Sequence, residues 1–377
     1  MNVRPRGPNL WQCVWLVGKD PATGRWKRRY ETVEGTQAQA EAYWYKVRRE
    51  IDRGTAIDPS GVTVGEWLEQ WLTMRKTQIR SQTWDRYRGL VRNHLIPTLG
   101  STRLQDLRVP AVQSALEHWQ ATTRGDGKPG RISSRSVRYC LQVLQAALDQ
   151  AVKWQLVERN VAALITPPRL EPISRTWWSI DQVRRFLTAT EHTRWGLVWR
   201  LALMTGLRRG EILGLQWTDI NWETGTLTVQ RAMNRYNKLG PPKTAQGKRT
   251  VALDKDTLSA LREANQRSAH GVWVFETRNG TPINARNLSR AYYQAIAQSQ
   301  VPSIRFHDLR HTHASLLLAE GENLRVIADR LGHSQVSFTA QTYTHVLTEA
   351  QRIKTEALAH RLRQDCGESP VPPDSTD

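Results

Sequence analysis

The spacing of hydrophobic positions changes along the chain, and each change marks a different kind of element. Residues 11–17 and 25–33 are rich in aromatic and β-branched side chains, and the turn-forming run Asp20-Pro21-Ala22-Thr23-Gly24 between them predicts a hairpin. From Thr36 the spacing becomes helical, with Ala40, Tyr43, Trp44 and Val47 on one face. A small three-stranded type of sheet carrying one helix is expected over residues 1–55, followed by a linker from Gly54 to Gly61 that contains Pro59. From Thr63 the pattern stays helical. Val64, Trp67, Leu68, Trp71 and Leu72 mark one helix; a second runs from about Ser81 through Tyr87, Leu90 and Val91 to Ile96, stopped by Pro97. Pro110 opens a third near 110–120, Thr122–Ser133 reads as a loop, and Ser136–Lys153 forms a fourth with Val137, Leu141, Leu144 and Leu148 inward. Residues 62–165 thus predict a compact four-helix domain.

Three prolines between Thr166 and Arg175 make the clearest boundary, because proline fixes φ and cannot continue a helix. Residues 173–365 then mix types. Helices are expected near 179–191 and 194–216, strands at Leu227–Arg231 and Arg249–Leu253, and further helices near 254–268, 284–299, 306–319 and 322–332. The polar, proline-rich residues 366–377 are expected to be disordered. The fold class is therefore multidomain and mainly α: a small sheet-plus-helix domain, a helical domain, and a mostly helical α+β domain.

Charge narrows the choice of partner. Fifty-four Lys and Arg against thirty-five Asp and Glu leave a net charge of +19, which points to a polyanion. All three domains are net positive, as expected if the whole length follows a phosphate backbone, whereas a membrane-docking chain concentrates its charge in one block. No apolar run approaches the ~18 residues needed to span a bilayer, and the first residues lack the apolar core of a signal peptide. A cytoplasmic protein without a membrane partner is expected. Cys13, Cys140 and Cys366 stand far apart, so neither a disulfide framework nor a thiolate metal site is expected. Arg25, Lys27 and Arg29 alternate along the second strand and project from one face, either as a solvated surface or as a ribbon that reads a DNA major groove. Arg80, Arg86 and Arg135 lie outside the apolar stripes of the helical domain and are further candidates for DNA contact.

Four segments of the last domain set polar groups inside a buried pattern. In Thr205-Gly206-Leu207-Arg208-Arg209-Gly210-Glu211, Arg208 and Glu211 are spaced as neighbours on one helix face, and a structural ion pair is the plainer reading of that segment alone. In His307-Asp308-Leu309-Arg310-His311-Thr312-His313, the His307/His311 spacing is that of a zinc helix. Arg310 on nearly the same face would repel a dication, however, and Asp308 stands where the metalloprotease pattern requires Glu. The third and fourth segments are Leu331-Gly332-His333 and, ten residues on, Tyr343 followed by Thr344-His345; each is weak alone. The stretch around Lys248 superficially suggests a phosphate-binding loop, but its glycine spacing is too long and Arg249 replaces the required Ser or Thr.

Taken together, in this order and with these neighbours, the four segments resemble the tyrosine recombinase (phage integrase) family, whose pattern is T-G-L-R-x-x-E, then H-x-x-R, then L-G-H, then a Tyr about ten residues later. The resemblance implies a cofactor-free DNA recombinase that integrates or excises a phage or other mobile element, with Tyr343 as nucleophile. It also implies that residues 1–55 are an arm-type DNA-binding domain, 62–165 a core-DNA-binding domain and 173–365 the catalytic domain. By the same resemblance His307 takes the tyrosine proton and a hairpin lysine protonates the leaving 5′ oxygen. Lys243 is preferred to Lys248 for that role because it precedes the turn. The implied partners are double-stranded DNA attachment sites, core and arm, and a homotetramer working through a Holliday junction, with room for an excisionase and a DNA-bending protein.

The residue types suit that chemistry. Charge building on the two non-bridging oxygens of a pentacoordinate phosphorus can be met by the planar forks of Arg208 and Arg310, with a further hydrogen bond from His333 and with Glu211 orienting Arg208. Tyrosine, with an ordinary pKa near ~10, needs such help to lose its proton. Two alternatives remain: strand relaxation of the type IB topoisomerase kind, and a DNA-binding regulator that has lost catalysis. Ala350, Ile353, Ala357 and Leu358 after the tyrosine form a helical stripe that could pack on a neighbouring subunit or within the chain.

Overall fold

The computed structural model describes residues 2–19, 23–52, 57, 60–123, 130–171, 176–242, 244–268, 271–333, 335, 340, 355–356 and 359. Lys243, Tyr343, the stripe at Ala350, Ile353, Ala357 and Leu358, and the tail 366–377 lie outside these residues. The chain divides into two compact units, Met1–Pro172 and Ile173–Asp377, at the proline-rich boundary.

The first unit holds two separate cores. Strands β1 (Val3–Gly7), β2 (Leu10–Lys19) and β3 (Trp26–Glu34) form an antiparallel sheet in that order, and helix α1 (Gln37–Asp52) packs on one face. β1 supplies the third strand of the expected sheet; its place was not legible in the sequence because its exposed VRPRG pattern carries no apolar alternation. Cys13 and Trp15 of β2 meet Ala40 and Val47 of α1 in the core. Trp15 donates its ring N–H to the Trp44 carbonyl at 3.0 Å and Trp44 donates to that of Val14 at 2.7 Å, so both tryptophans bury their apolar bodies with their polar atoms satisfied.

The second core lies among α2 (Val64–Arg75), α3 (Ser81–Leu90), α4 (Ile96–Leu99), α5 (Val109–Ala121) and α6 (Ser134–Lys153). Thr63 and Glu66 close a reciprocal cap at the start of α2. Val64, Trp67, Leu68, Trp71, Leu72, Val137, Leu141, Leu144 and Leu148 are all buried, as their spacing predicts. Pro97 does not stop its helix. A wide π turn over Val91–Leu95 precedes it, with the Ile96 amide bonded to the Val91 carbonyl, and the chain continues helically through Pro97 to Leu99. Widening the turn accommodates a residue that has no N–H to give.

In the second unit, α7 (Ile180–Thr190), α8 (Gly196–Thr205) and α11 (Ala285–Ser299) enclose Trp178, Phe186, Trp199 and Tyr292. A short helix α9 (Arg209–Leu213) leads to the sheet β4 (Ile220–Asn221), β5 (Thr226–Val229) and β8 (Arg249–Ala252), while β6 (Ala232–Met233) and β7 (Leu239–Gly240) form a small hairpin between β5 and β8. Helices α10 (Lys255–Gln266), α12 (Asp308–Ala319) and α13 (Leu324–Leu331) complete the unit. The continuous helix expected over 194–216 is two helices, because Gly206 takes a left-handed φ of 65° and ends α8. Among the described residues no helix is long and apolar enough to cross a membrane.

Candidate functional site

The break at Gly206 places the first arginine. A Cβ at residue 206 would come within 2.7 Å of both the His313 ring and a Leu331 methyl, so only glycine fits this corner. The chain then turns through buried Leu207 and starts α9, with Arg208 at the N-cap. Glu211 reaches back from the first turn: its Oε2 accepts the Arg208 backbone N–H at 3.0 Å and its Oε1 accepts Nη1 at 2.7 Å. The spacing of three that suggested one helix face is in fact a cap. Its consequence is the same, since Arg208 is held by a carboxylate that is itself buried.

A second glycine corner faces the first. Helix α13 ends at Leu331, Gly332 turns left-handed with φ 67°, and the His333 amide closes the helix end on the Ala328 carbonyl at 2.9 Å. Arg310, buried in the first turn of α12, donates Nη1 to the Gly206 carbonyl at 2.9 Å and Nη2 to that of Leu331 at 2.5 Å. Arg208 Nη2 points to the Gly332 carbonyl at 3.3 Å. Thus Arg208, Arg310 and His333, far apart in sequence, gather around two glycine corners.

His333 and His307, beside these cations, are neutral at pH 7. Burial first, then the charges of Arg310 and Arg208, hold His333 down to about 3. His307, the N-cap of α12, keeps an open edge to solvent while protein crowds the rest of its ring. That crowding and the Arg310 charge hold it at about 4, against some relief from Asp308. The His311 ring stands edge to face with that of His307, centroids 5.3 Å apart. Among the described residues no three His, Cys, Asp or Glu side chains gather as a metal site would require. Asp308 is engaged by Arg305, which donates Nε at 2.9 Å and Nη2 at 2.8 Å.

Beneath these groups lies a layer that the motif spacing did not reveal. Arg249 donates to Glu211 at 2.8 Å, and Arg330 donates Nε to His313 Nε2 at 3.1 Å and Nη2 to the Met204 and Ala252 carbonyls at 2.9 and 3.0 Å. The signal available in the sequence was slight: charged residues at a strand start and in the last turn of a helix. Lys248, next to Arg249, is exposed.

The expected DNA contacts divide in two. Arg80, Arg86 and Arg135 are exposed, and Arg86 stacks on Tyr139 at 3.7 Å, one helical turn from Arg135, which brings the surfaces of α3 and α6 together. In the small sheet, Arg25 and Lys27 are exposed, but the expectation for Arg29 needs correcting. Arg29 pairs across the strands with buried Trp15, so its face of β3 is the one that α1 covers. Its guanidinium is taken up by the Ile57 carbonyl at 2.9 Å and by Glu31 at 3.4 Å. The open face of β3 carries Trp26, Arg28 and Tyr30, all exposed. Strand alternation alone gives two faces without saying which one the helix will cover.

The profile described as phage integrase family matches residues 177–350, and that of the phage integrase N-terminal SAM-like domain matches residues 63–120. A tyrosine recombinase XerC-like protein of Caldanaerobacter subterraneus subsp. tengcongensis is 27% identical over 391 residues, covering 95% of this chain and 97% of its own. The ICEBs1 integrase of Bacillus subtilis is 24% identical over 374 residues, covering 95% and 99%. In fold, the chain is similar to the Tn1549 transposon integrase in complex with a circular intermediate DNA, with a TM-score of 0.65 at 18% identity over 79% of this chain and 99% of that one. It is also similar to a lambda integrase tetramer bound to a Holliday junction, with a TM-score of 0.57 at 19% identity over 89% and 96%.

Proposed function

The chain belongs to the phage integrase family of tyrosine recombinases, enzymes that break and rejoin DNA, and from that premise we propose that it integrates and excises a mobile element through a 3′-phosphotyrosyl intermediate at Tyr343. The observation that carries this reading is the gathering of Arg208, Arg310 and His333 at the Gly206 and Gly332 corners.

The chemistry follows from the groups present. Arg208 and Arg310 meet the two non-bridging oxygens of the scissile phosphate, and each is held by carbonyls and, for Arg208, by Glu211, so little reorganisation accompanies the growth of charge. His333, neutral at pH 7, donates a further hydrogen bond to the phosphate. His307, also neutral, accepts the proton of the Tyr343 hydroxyl as its oxygen attacks phosphorus. The bond from phosphorus to the 5′ oxygen breaks, and Lys243 protonates the departing oxygen. The phosphotyrosine bond keeps the energy of the broken diester, so the 5′-hydroxyl of a second duplex can attack it and release the tyrosine. Two duplexes need paired subunits, and a homotetramer acting through a Holliday junction supplies them, with an excisionase and a DNA-bending protein setting direction. Residues 1–55 serve as the arm-site binding domain, 62–165 as the core-site binding domain and 173–365 as the catalytic domain.

The test uses duplexes with randomised sequence and a nick just downstream of the cleaved position, so that the short fragment carrying the freed 5′-hydroxyl diffuses away and the adduct is trapped. Wild-type chain is expected to give a covalent protein–DNA species that survives denaturation and forms in the presence of a chelator, while Tyr343→Phe gives none. An adduct that persists in Tyr343→Phe would move the nucleophile elsewhere. Tight binding without any wild-type adduct would favour a regulator that no longer cuts.

A further inference from the structure

Arg249 opens β8, with only 6% of its side chain exposed. Its guanidinium serves three acceptors: Nη2 donates to Glu211 Oε2 at 2.8 Å, Nε to the Arg330 carbonyl at 2.6 Å and Nη1 to the Gly247 carbonyl at 3.1 Å. It also packs under the second glycine corner, where a Cβ on Gly332 would meet its Cδ at 3.1 Å and its Nη1 at 3.2 Å. One side chain thus touches the carboxylate that holds Arg208, the last turn of α13 and the residue that precedes His333.

We propose that Arg249 is a positioning residue for strand cleavage, holding Glu211 so that Arg208 keeps its positive charge for the phosphate and fixing the corner that presents His333. The proposal rests on the strand-transfer reading above.

The charge count gives the reason. Two guanidinium groups share one buried carboxylate, so Arg208, Glu211 and Arg249 together carry a single positive charge. Without Arg249, Arg208 and Glu211 would form a closed neutral pair, and a phosphate oxygen would meet much less attraction. Arg249 is too deeply placed to touch the scissile phosphate itself, so it acts through Arg208 and through the Gly332 corner. Lysine cannot replace it fully, because one ammonium group cannot meet three acceptors spread around a planar fork.

The experiment measures single-turnover adduct formation by the full chain on a duplex recovered from the wild-type trapping reaction. Two versions of the duplex are compared: one with the ordinary phosphodiester and one with an uncharged methylphosphonate at the cleaved position. Arg249→Gln, which keeps polar atoms in the site but removes the charge, is expected to slow cleavage of the diester about 100-fold and of the methylphosphonate only about fivefold. Duplex affinity should change by no more than about threefold, and Arg249→Lys should recover to within about tenfold of wild type. An unchanged rate in Arg249→Gln overturns the proposal. So does an equal loss on both substrates in Arg249→Gln and Arg249→Lys, with or without loss of affinity, since that is the behaviour of a residue needed only for folding. The recombinase reading fails separately, at the earlier step where wild type yields no adduct.

Discussion

His307, His313 and His333 are neutral in the folded protein, and for a common reason. His313 must keep Nε2 unprotonated to accept from Arg330, and burial followed by the Arg330 charge holds it at about 3. His333 is held at about 3 and His307 at about 4 by burial and the neighbouring arginines. All three lie below the ordinary histidine value of 6.5. Below that value the unfolded chain binds protons that the folded chain refuses, so the stability they contribute is complete above pH 6.5 and is lost as pH falls toward 4 and 3. Glu211 acts lower still. Burial would raise its pKa, but the Arg249 hydrogen bond and the charges of Arg249 and Arg208 hold it below the usual range, so its contribution disappears only in stronger acid. A melting series from about pH 7.5 down to about pH 5 should show a falling midpoint. His313→Asn, measured the same way, should show a shallower fall. A flat midpoint in wild type would mean that the rings take up protons inside the folded protein.

At the level of elements, the side of the sheet on which a residue stands decides its use. Arg28 and Arg29 are neighbours, yet Arg28 stands on the open face with Trp26 and Tyr30, while Arg29 stands beneath α1 with Glu31 and Trp15. Arg28→Ala should therefore weaken DNA binding and lower the slope of log affinity against log salt by about one phosphate contact. Arg29→Ala should leave that slope unchanged and instead destabilise the first unit by about 1–2 kcal/mol, through the loss of the Ile57 bond and the partner of Glu31. Binding titrations at several salt concentrations, paired with thermal melting, check both; a slope that fell only for Arg29→Ala would reverse the assignment of faces. The helix breaks show the same dependence on context. Gly206 ends α8 because Leu331 and His313 leave no room for a side chain there, whereas Pro97 fails to end its helix because a π turn absorbs it.

Across the whole molecule, charge and cores do different work. The excess of +19 fixes no fold but sets the response to salt. DNA affinity should fall by roughly 10³-fold between about 50 and about 200 mM salt if six or more phosphates are neutralised. Affinity that stayed constant across that range would remove the phosphate backbone as the partner of this charge. The tryptophans, sixteen in all, go largely to the cores: Trp15, Trp67, Trp71, Trp119, Trp178 and Trp199 are among the largest fully buried side chains. A large ring fills space that would otherwise need two smaller residues; the Trp67 N–H donates to the Ala147 carbonyl at 3.0 Å, whereas those of Trp71 and Trp199 are buried without a hydrogen-bond partner among the described residues.

By itself, the sequence determined the features that depend on near neighbours. The apolar stripes of α2 and α6 and the proline boundary could be read from local spacing, because a helix face is set within a few residues, whereas Arg208, Glu211, His307, Arg310 and His333 were singled out only by the resemblance of four segments taken together. Tertiary structure decided the rest. Arg310 and the carbonyl it holds at Gly206 are 104 positions apart, and Arg208 and Gly332 are 124 apart. Which face of the small sheet α1 covers, and that Arg249 lies against the Gly332 corner and Glu211, likewise depend on contacts between distant segments. Such contacts form when burial brings separate elements together, and a buried charge then takes whichever partner the packing supplies; no local period records that choice.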